Sequence, residues 1–315
     1  MKVLYFEQKI TLKDDYPQPK SGEALVRVRL AGICGTDLEM IRGYMDYTGV
    51  LGHEFVGVVE KSNNYDLVGK RVVGEINAGC GRCTYCSSGL ERHCPQRTVL
   101  GIYKRDGAFA QYLSLPEKNL HTIPDSISDE EAVFIEPLAA AFEIEEQIRI
   151  QENQKIAIVG DGRLAQLIVR VLKIKNKNIT CFGRHQNKLH MLQKMQIAAK
   201  MGISKDDEHT FDVVVEATGN ESGFSDAIKL AKPRGTIILK STLASKGNLD
   251  FAPAIINEIT MVGSRCGPFR PAIEALASGV VKVNDMVSAV YPIEEFEKAF
   301  EEAKKPTNIK ILLRP

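Results

Sequence analysis

Four of the chain's seven cysteines fall within fifteen residues: Cys80, Cys83, Cys86 and Cys94, spaced C-x-x-C-x-x-C with the fourth after seven more residues. Four thiolates at this density can close a tetrahedral shell around one zinc ion. Gly79, Gly81 and Gly89 let the backbone bend tightly, and Pro95 follows the last cysteine. The ligand count alone also suits an iron–sulfur cluster. Unrelated thiols or a disulfide pair are the plainer reading, but clustered cysteines in a soluble intracellular protein usually bind metal. The spacing predicts a metal lobe over residues 79–95 and leaves the chemistry to other parts of the chain.

At 315 residues there is room for two domains, each with its own core. The formal charge is +1, with acidic and basic residues mixed throughout, so no basic face suited to nucleic acid is expected. No apolar run is long enough to cross a membrane, and the first residues lack a signal-like stretch. A soluble cytoplasmic protein is the expectation.

Residues 1 to about 145 read as short strands and turns, among them Ala24–Leu30, Phe55–Glu60 and Arg71–Gly74, which predicts a β-rich barrel or sandwich. Ala132–Ile150 is apolar and helix-prone. From Lys155 strands and helices alternate, the pattern of a parallel sheet covered on both faces. Strands are expected at Ile156–Val159, Ile179–Phe182, Val213–Glu216, Thr236–Leu239 and Thr260–Val262, and helices at Leu164–Lys173, Lys188–Lys200, Ser222–Lys232 and Pro271–Ser278. Tail strands at Val287–Val290 and Ile309–Leu313 are expected to return to the first domain. Only ten residues separate Gly202 from Val213, so the helix between those strands should be trimmed or missing.

The run Ile156–Val159 leads straight into Gly160-Asp161-Gly162-Arg163-Leu164-Ala165, a G-x-G-x-x-A turn between strand and helix. Gly160 permits the turn, Gly162 lets a pyrophosphate approach the backbone, and Arg163 and Leu164 open a helix whose N-terminus favours the anion. Dinucleotide enzymes that use NAD carry an acid at the end of the second strand. Here that strand ends Cys181-Phe182-Gly183-Arg184-His185, without one. Gly183 makes room, and the Arg184 guanidinium can pair with a 2′-phosphate, which favours NADP over NAD. A solvated surface arginine is the alternative reading of Arg184.

A second donor set is dispersed. Cys34 lies in Gly32-Ile33-Cys34-Gly35-Thr36-Asp37, His53 and Glu54 in Gly52-His53-Glu54-Phe55, and Glu136 in Ile135-Glu136-Pro137. One thiolate, one imidazole and two carboxylates suit a catalytic zinc, which keeps an open position for water or substrate.

With these motifs in this order, the chain resembles the zinc-containing medium-chain dehydrogenase/reductase family along essentially its whole length. The resemblance implies a GroES-like β-barrel catalytic domain over residues 1–147 and 270–315. Inserted in it would be a Rossmann domain over residues 148–269 with a parallel doubly wound sheet, and the active site would lie in the cleft between the two. It implies two zinc ions per chain, one structural on the four clustered cysteines and one catalytic on Cys34, His53 and Glu136, with Glu54 as a close or alternating ligand. It also implies that the Gly219 turn passes near the cofactor and that the chain assembles as a homodimer or homotetramer. Zinc would polarise the substrate oxygen, Thr36 would take the alcohol proton, and hydride would pass to the nicotinamide.

Many members carry a histidine five residues after the first cysteine ligand; this chain has Glu39, which resembles the glucose dehydrogenase branch and assigns Glu39 a proton-relay role unless solvent performs it. The segment Met40–Leu51, with Arg42, Tyr44, Asp46 and Tyr47, is expected near the substrate. Cys181 and Cys266 are expected to be buried thiols outside any metal site. The function implied is hydride transfer between NADP(H) and a secondary alcohol, polyol or aldose. Alternatives are a carbonyl reductase running towards the alcohol and a non-catalytic dinucleotide-binding sensor, the latter at odds with the presence of Cys34, Thr36, His53 and Glu136.

Overall fold

The computed structural model describes residues 1–19, 22–242 and 249–315. By internal contacts the chain divides into two compact units, Met1–Glu136 with Phe269–Pro315, and Pro137–Pro268. The first division falls inside the helix Ile135–Gln147, upstream of the 147/148 boundary that the family resemblance implies.

The first unit is built on a seven-stranded sheet and two three-stranded sheets. Its central element is the strand Ala24–Gly32, which pairs antiparallel with Glu54–Lys61, Tyr112–Leu115 and the C-terminal strand Lys310–Arg314. Along Ala24–Leu30 the alternate residues Val26, Val28 and Leu30 are buried while Arg27 and Arg29 are exposed, the period of a half-covered strand. Val287–Pro292 runs parallel to Lys310–Arg314, so the tail strands do join the first sheet. Ile33, Leu51, Phe109, Phe134 and Ile135 are fully buried in this unit, each such side chain contributing about 1.5–3 kcal/mol of transfer free energy.

The second unit holds a six-stranded sheet, all parallel. Its order is Ala198–Met201, Ile179–Gly183, Ile156–Val159, Phe211–Glu216, Ala231–Leu239, Thr260–Gly263. Strand order therefore reverses beside Ile156–Val159, where doubly wound sheets bind ligands. The helix Arg163–Leu172 is buried from Ala165 to Leu172, because it must pack on the sheet with an apolar stretch that leaves little polar face. Its two buried polar residues satisfy each other and a neighbour: Arg170 Nη1 donates to Gln166 Oε1 at 3.0 Å, and Gln166 Nε2 donates to the Lys188 carbonyl at 3.0 Å.

Two elements differ from expectation. The helix expected over Lys188–Lys200 occupies Gln186–Lys194 and stops before Gln196, whose φ of 62° is left-handed. Ala198–Met201 is then the edge strand beside Ile179–Gly183. Ala-Ala-Lys has helix propensity, but sheet pairing outweighs the few tenths of a kcal/mol per residue that propensity supplies. The stretch before Phe211 carries only the 3₁₀ turn Lys205–Asp207, as the short spacing predicts. No helix among the described residues is long and apolar enough to cross a membrane.

Candidate active site

The four-cysteine lobe is closed and local. The sulfurs of Cys80, Cys83, Cys86 and Cys94 all lie within 4.8 Å of one another. Cys83 Sγ is 3.6 Å from both Cys86 Sγ and Cys94 Sγ. Tetrahedral zinc–thiolate bonds of about 2.3 Å separate sulfurs by about 3.8 Å, so the donors fit that ion. A Cβ on Gly79 would lie 2.9 Å from Cys86 Sγ, which explains a glycine ahead of the first cysteine. The Arg82 backbone N–H, aided by Cys83 N–H, pulls the Cys80 thiol down to about 6. The Cys80 N–H likewise lowers Cys94, whereas burial pushes Cys86 up to about 11.

The second donor set is assembled from separate elements. Cys34 sits at the end of the strand Ala24–Gly32 as N-cap of the helix Gly35–Ile41. His53 directly precedes the neighbouring strand Glu54–Lys61, which Glu54 begins, after a turn at Gly52. That turn requires glycine twice over: φ is 94°, and a Cβ would lie 2.7 Å from the Phe109 ring. The donor atoms of Cys34, His53 and Glu54 lie within 4.8 Å of one another. His53 is 4 % exposed and Glu54 0 %. Glu54 Oε1 is buried without a hydrogen-bond partner among the described residues, an orphaned acceptor facing a donor set that suits a divalent cation.

Two residues around this set carry no sequence motif of their own. Asp37 is fully buried; its Oδ2 accepts from Cys34 N–H at 2.7 Å, its Oδ1 accepts from Gly52 N–H at 3.2 Å, and Oδ1 lies 3.4 Å from His53 Nδ1. It thereby ties the two ligand-bearing turns together and sets a carboxylate beside the imidazole, whose Nδ1 is buried without a hydrogen-bond partner among the described residues. Burial opposes charge on His53, but Asp37 and then Cys34 raise its pKa well above the ordinary 6.5. Lys310 is 1 % exposed and its Nζ donates to Glu54 Oε2. Gly32 leaves the space for this carboxylate: a Cβ there would lie 2.5 Å from Glu54 Oε2. The signal for Asp37 was its place three residues into a helix that starts at a candidate ligand. The signal for Lys310 was a charge opening a strand whose next three residues are apolar.

Thr36 lies beside the set, with Oγ1 3.9 Å from Cys34 Sγ. Glu136 is the second residue of the helix Ile135–Gln147, is half-buried, and does not belong to the three mutually close donors. Glu39 is on the exposed side of the helix Gly35–Ile41 and accepts from Arg42 Nη1 at 2.6 Å. Of the segment expected near substrate, Asp46 and Tyr47 line a cavity of about 380 Å³ together with Lys104 and Arg105. The Tyr47 hydroxyl lies 3.0 and 2.9 Å from the carbonyls of Val50 and Arg105, so it braces the loop. Burial, then the Asp106 carboxylate, pushes this phenol above its ordinary value.

The glycine-rich turn follows the strand Ile156–Val159. Gly160 has φ 116°, and a Cβ there would meet the Ala217 carbonyl oxygen at 2.8 Å. Gly162 is the N-cap of the helix that Arg163 and Leu164 open, and a Cβ there would meet nothing within 4 Å. That open cradle at a helix N-terminus fits a pyrophosphate. Gly219 has φ 78°, and its N–H donates to Ser241 Oγ at 2.9 Å. At the second strand's end Arg184 is exposed and its Nη2 donates to Ser222 Oγ at 2.7 Å. Gly183 makes room, but for a side chain: a Cβ there would lie 2.5 Å from Asp161 Oδ2. His185 Nδ1 lies 2.8 Å from Asp161 Oδ1. Cys181 is buried, while Cys266 is half-buried rather than buried.

A closed four-thiolate lobe and a mixed thiolate–imidazole–carboxylate set in one unit, with a dinucleotide turn in the other, define an oxidoreductase class with donor sets that suit metal. Residues 20–125 match the family described as "Alcohol dehydrogenase GroES-like domain". Residues 164–278 match that described as "Zinc-binding dehydrogenase". The chain belongs to the zinc-containing medium-chain dehydrogenase/reductase family and is an enzyme of the alcohol dehydrogenase type. It is 27% identical to D-arabinitol dehydrogenase 1 of Uromyces fabae, covering 100% of this chain and 97% of that one. A protein of Sinorhizobium meliloti 1021 described as a zinc-binding dehydrogenase and solved bound to NADP superposes with a TM-score of 0.91 at 25% identity, covering 100% and 99% of the two chains. RspB of Escherichia coli CFT073, an alcohol dehydrogenase solved with NADH, gives 0.90 at 28% identity over 100% and 99%.

Proposed function

We propose that this protein is a zinc-dependent dehydrogenase with a preference for NADP, acting on a secondary alcohol, polyol or aldose. The observation that carries the reading is the convergence of Cys34, His53 and Glu54 donors around an orphaned buried carboxylate oxygen. The cofactor preference rests on the second strand ending in Gly183-Arg184-His185 with the Arg184 guanidinium exposed. The polyol class is supported by the arabinitol-named relative.

Cys34 and His53 would hold the catalytic zinc, with Glu54 or Glu136 as the carboxylate ligand. Cys80, Cys83, Cys86 and Cys94 would hold a structural one. When bound, zinc supplies Lewis acidity towards a substrate oxygen, and the nicotinamide accepts or returns hydride. The chain supplies the rest. Asp37 holds the imidazole of His53 in place, Lys310 balances the charge of Glu54, and the hydroxyl of Thr36 receives the alcohol proton. Glu39, exposed and paired with Arg42, leaves that proton's onward path to solvent. Gly160, Gly162 and the first N–H groups of the Arg163–Leu172 helix bind the pyrophosphate, with Gly183, Arg184, His185 and Gly219 around the adenosine side.

An edge strand at Thr260–Gly263 and the exposed Ile255 and Ile256 beside it favour assembly into homodimers or homotetramers. Seven cysteines, four of them clustered, suit a reducing cytoplasm.

The test is initial rates with NADP and NAD in parallel across aldoses, polyols, amino alcohols and simple secondary alcohols. NADP-linked turnover of a polyol or aldose is expected, and Arg184→Ala should weaken NADP far more than NAD. Turnover confined to NAD overturns the cofactor assignment, and turnover confined to simple alcohols overturns the substrate class.

A further inference from the structure

The middle residue of the glycine turn is bonded in a way that the phosphate role of that turn does not require. Asp161 is 5 % exposed. Its Oδ2 accepts from the backbone N–H groups of Arg184 at 2.6 Å and His185 at 2.7 Å, and its Oδ1 is 2.8 Å from His185 Nδ1. A carboxylate from the first strand's turn thus grips the end of the second strand, where NAD enzymes place an acid of their own. The fit is mutual, because any side chain at Gly183 would occupy the place of Asp161 Oδ2 and Cβ, at 2.5 and 2.7 Å.

A free carboxylate at this strand end, where dinucleotide folds bind the adenosine ribose, would accept its hydroxyls and repel a 2′-phosphate. Asp161 is not free in that sense: three donors converge on it, and these contacts, against burial, lower its pKa. Its charge also faces the buried Lys188. What remains directed outward from this strand end is Arg184, anchored by Ser222, whose Oγ in turn donates to Asn220 Oδ1 at 2.7 Å.

We propose that Asp161 is a positioning residue for recognition of the adenosine 2′-phosphate: its carboxylate is consumed in holding the Arg184–His185 backbone, so that this strand end presents the Arg184 guanidinium instead of an acid. This rests on the NADP reading above and adds the residue that makes it work.

The test uses the full-length protein and calorimetric binding of two cofactor fragments, adenosine 2′,5′-bisphosphate and 5′-AMP. Asp161→Asn keeps the shape and removes the charge. Loss of charge-assisted hydrogen bonds should weaken the bisphosphate about tenfold and leave 5′-AMP within about twofold. In an Arg184→Ala background the same change should cost almost nothing more, since the two act as one unit. Gly183→Ala displaces the carboxylate without touching its charge and should give the same selective loss; it carries the test where Asp161→Asn does not fold. Tighter bisphosphate binding in Asp161→Asn would make the carboxylate a repeller and overturn the proposal. So would equal losses for both fragments, additive effects with Arg184→Ala, or no change in either variant. A wild-type protein that binds 5′-AMP as tightly as the bisphosphate overturns the NADP reading and the role of Asp161 with it. Wild-type preference that neither variant alters removes only Asp161.

Discussion

The two donor sets in the first unit differ in how they handle charge. The cysteine lobe collects four thiols, and backbone N–H groups lower Cys80 and Cys94. The Cys34 set comes with its own buried cation, Lys310, already engaged with one of the carboxylates. A site of the first kind has one use for its ligands, to close around an ion. A site of the second kind stays folded with its charges balanced and holds an ion without surrendering every donor. Under the proposed function, the closed set is the structural metal site and the set with room for substrate the catalytic one.

Replacing Cys34 by Ser should break the catalytic set outright. Turnover is expected to fall by more than the roughly 100-fold that loss of an outer partner costs, while dinucleotide fluorescence titrations stay unchanged; undiminished turnover would sink the zinc mechanism. Cys83→Ser is the matching change in the lobe. Metal analysis should show one zinc fewer per chain and the melting temperature should drop, with the folded fraction keeping its kcat. A metal-complete, equally stable variant contradicts a structural role.

Lys310→Met tests the difference in charge handling. It strands Glu54 in the core, and breaking a buried pair this way costs about 3–5 kcal/mol, readable as a shift in denaturant midpoint. Adding Glu54→Gln should restore most of it. If the single variant is as stable as the parent, the pair does not balance this site.

Acid should separate the sites further. A raised His53 must lose its proton to bind metal, so zinc at Cys34–His53 is expected to weaken as pH falls through the raised value. In metal-free protein the sign reverses: the protonated imidazole beside Asp37 contributes stability below about pH 6.5, and this is lost as pH rises through the folded value. Melting curves with and without zinc across this range should therefore slope in opposite directions. Parallel slopes would take His53 out of the ligand set. The smallest effect is expected from Glu39→Gln, which removes an exposed pair worth about 0–1 kcal/mol; a large fall in kcat would return the proton relay to Glu39.

The sequence by itself determined whatever repeats at short range. The cysteine spacing announced the lobe, the alternation in Ala24–Leu30 its strand, and G-x-G-x-x-A the phosphate turn, because each is decided within a few residues by turn geometry or side-chain period. Propensity misjudged stretches where sheet pairing outweighed it, at Ala198–Met201 and at Ala231–Lys232. Tertiary structure alone decided who stands next to whom across long gaps. Lys310 reaches Glu54 over 256 residues because the last strand closes onto Ala24–Gly32. Asp161 meets His185 because parallel strands align their ends. Glu136 stays outside the mutually close donors, though its motif gave no hint of it. Buried charges choose their partners by desolvation and pairing, and no local pattern encodes a neighbour that only the folded sheet supplies.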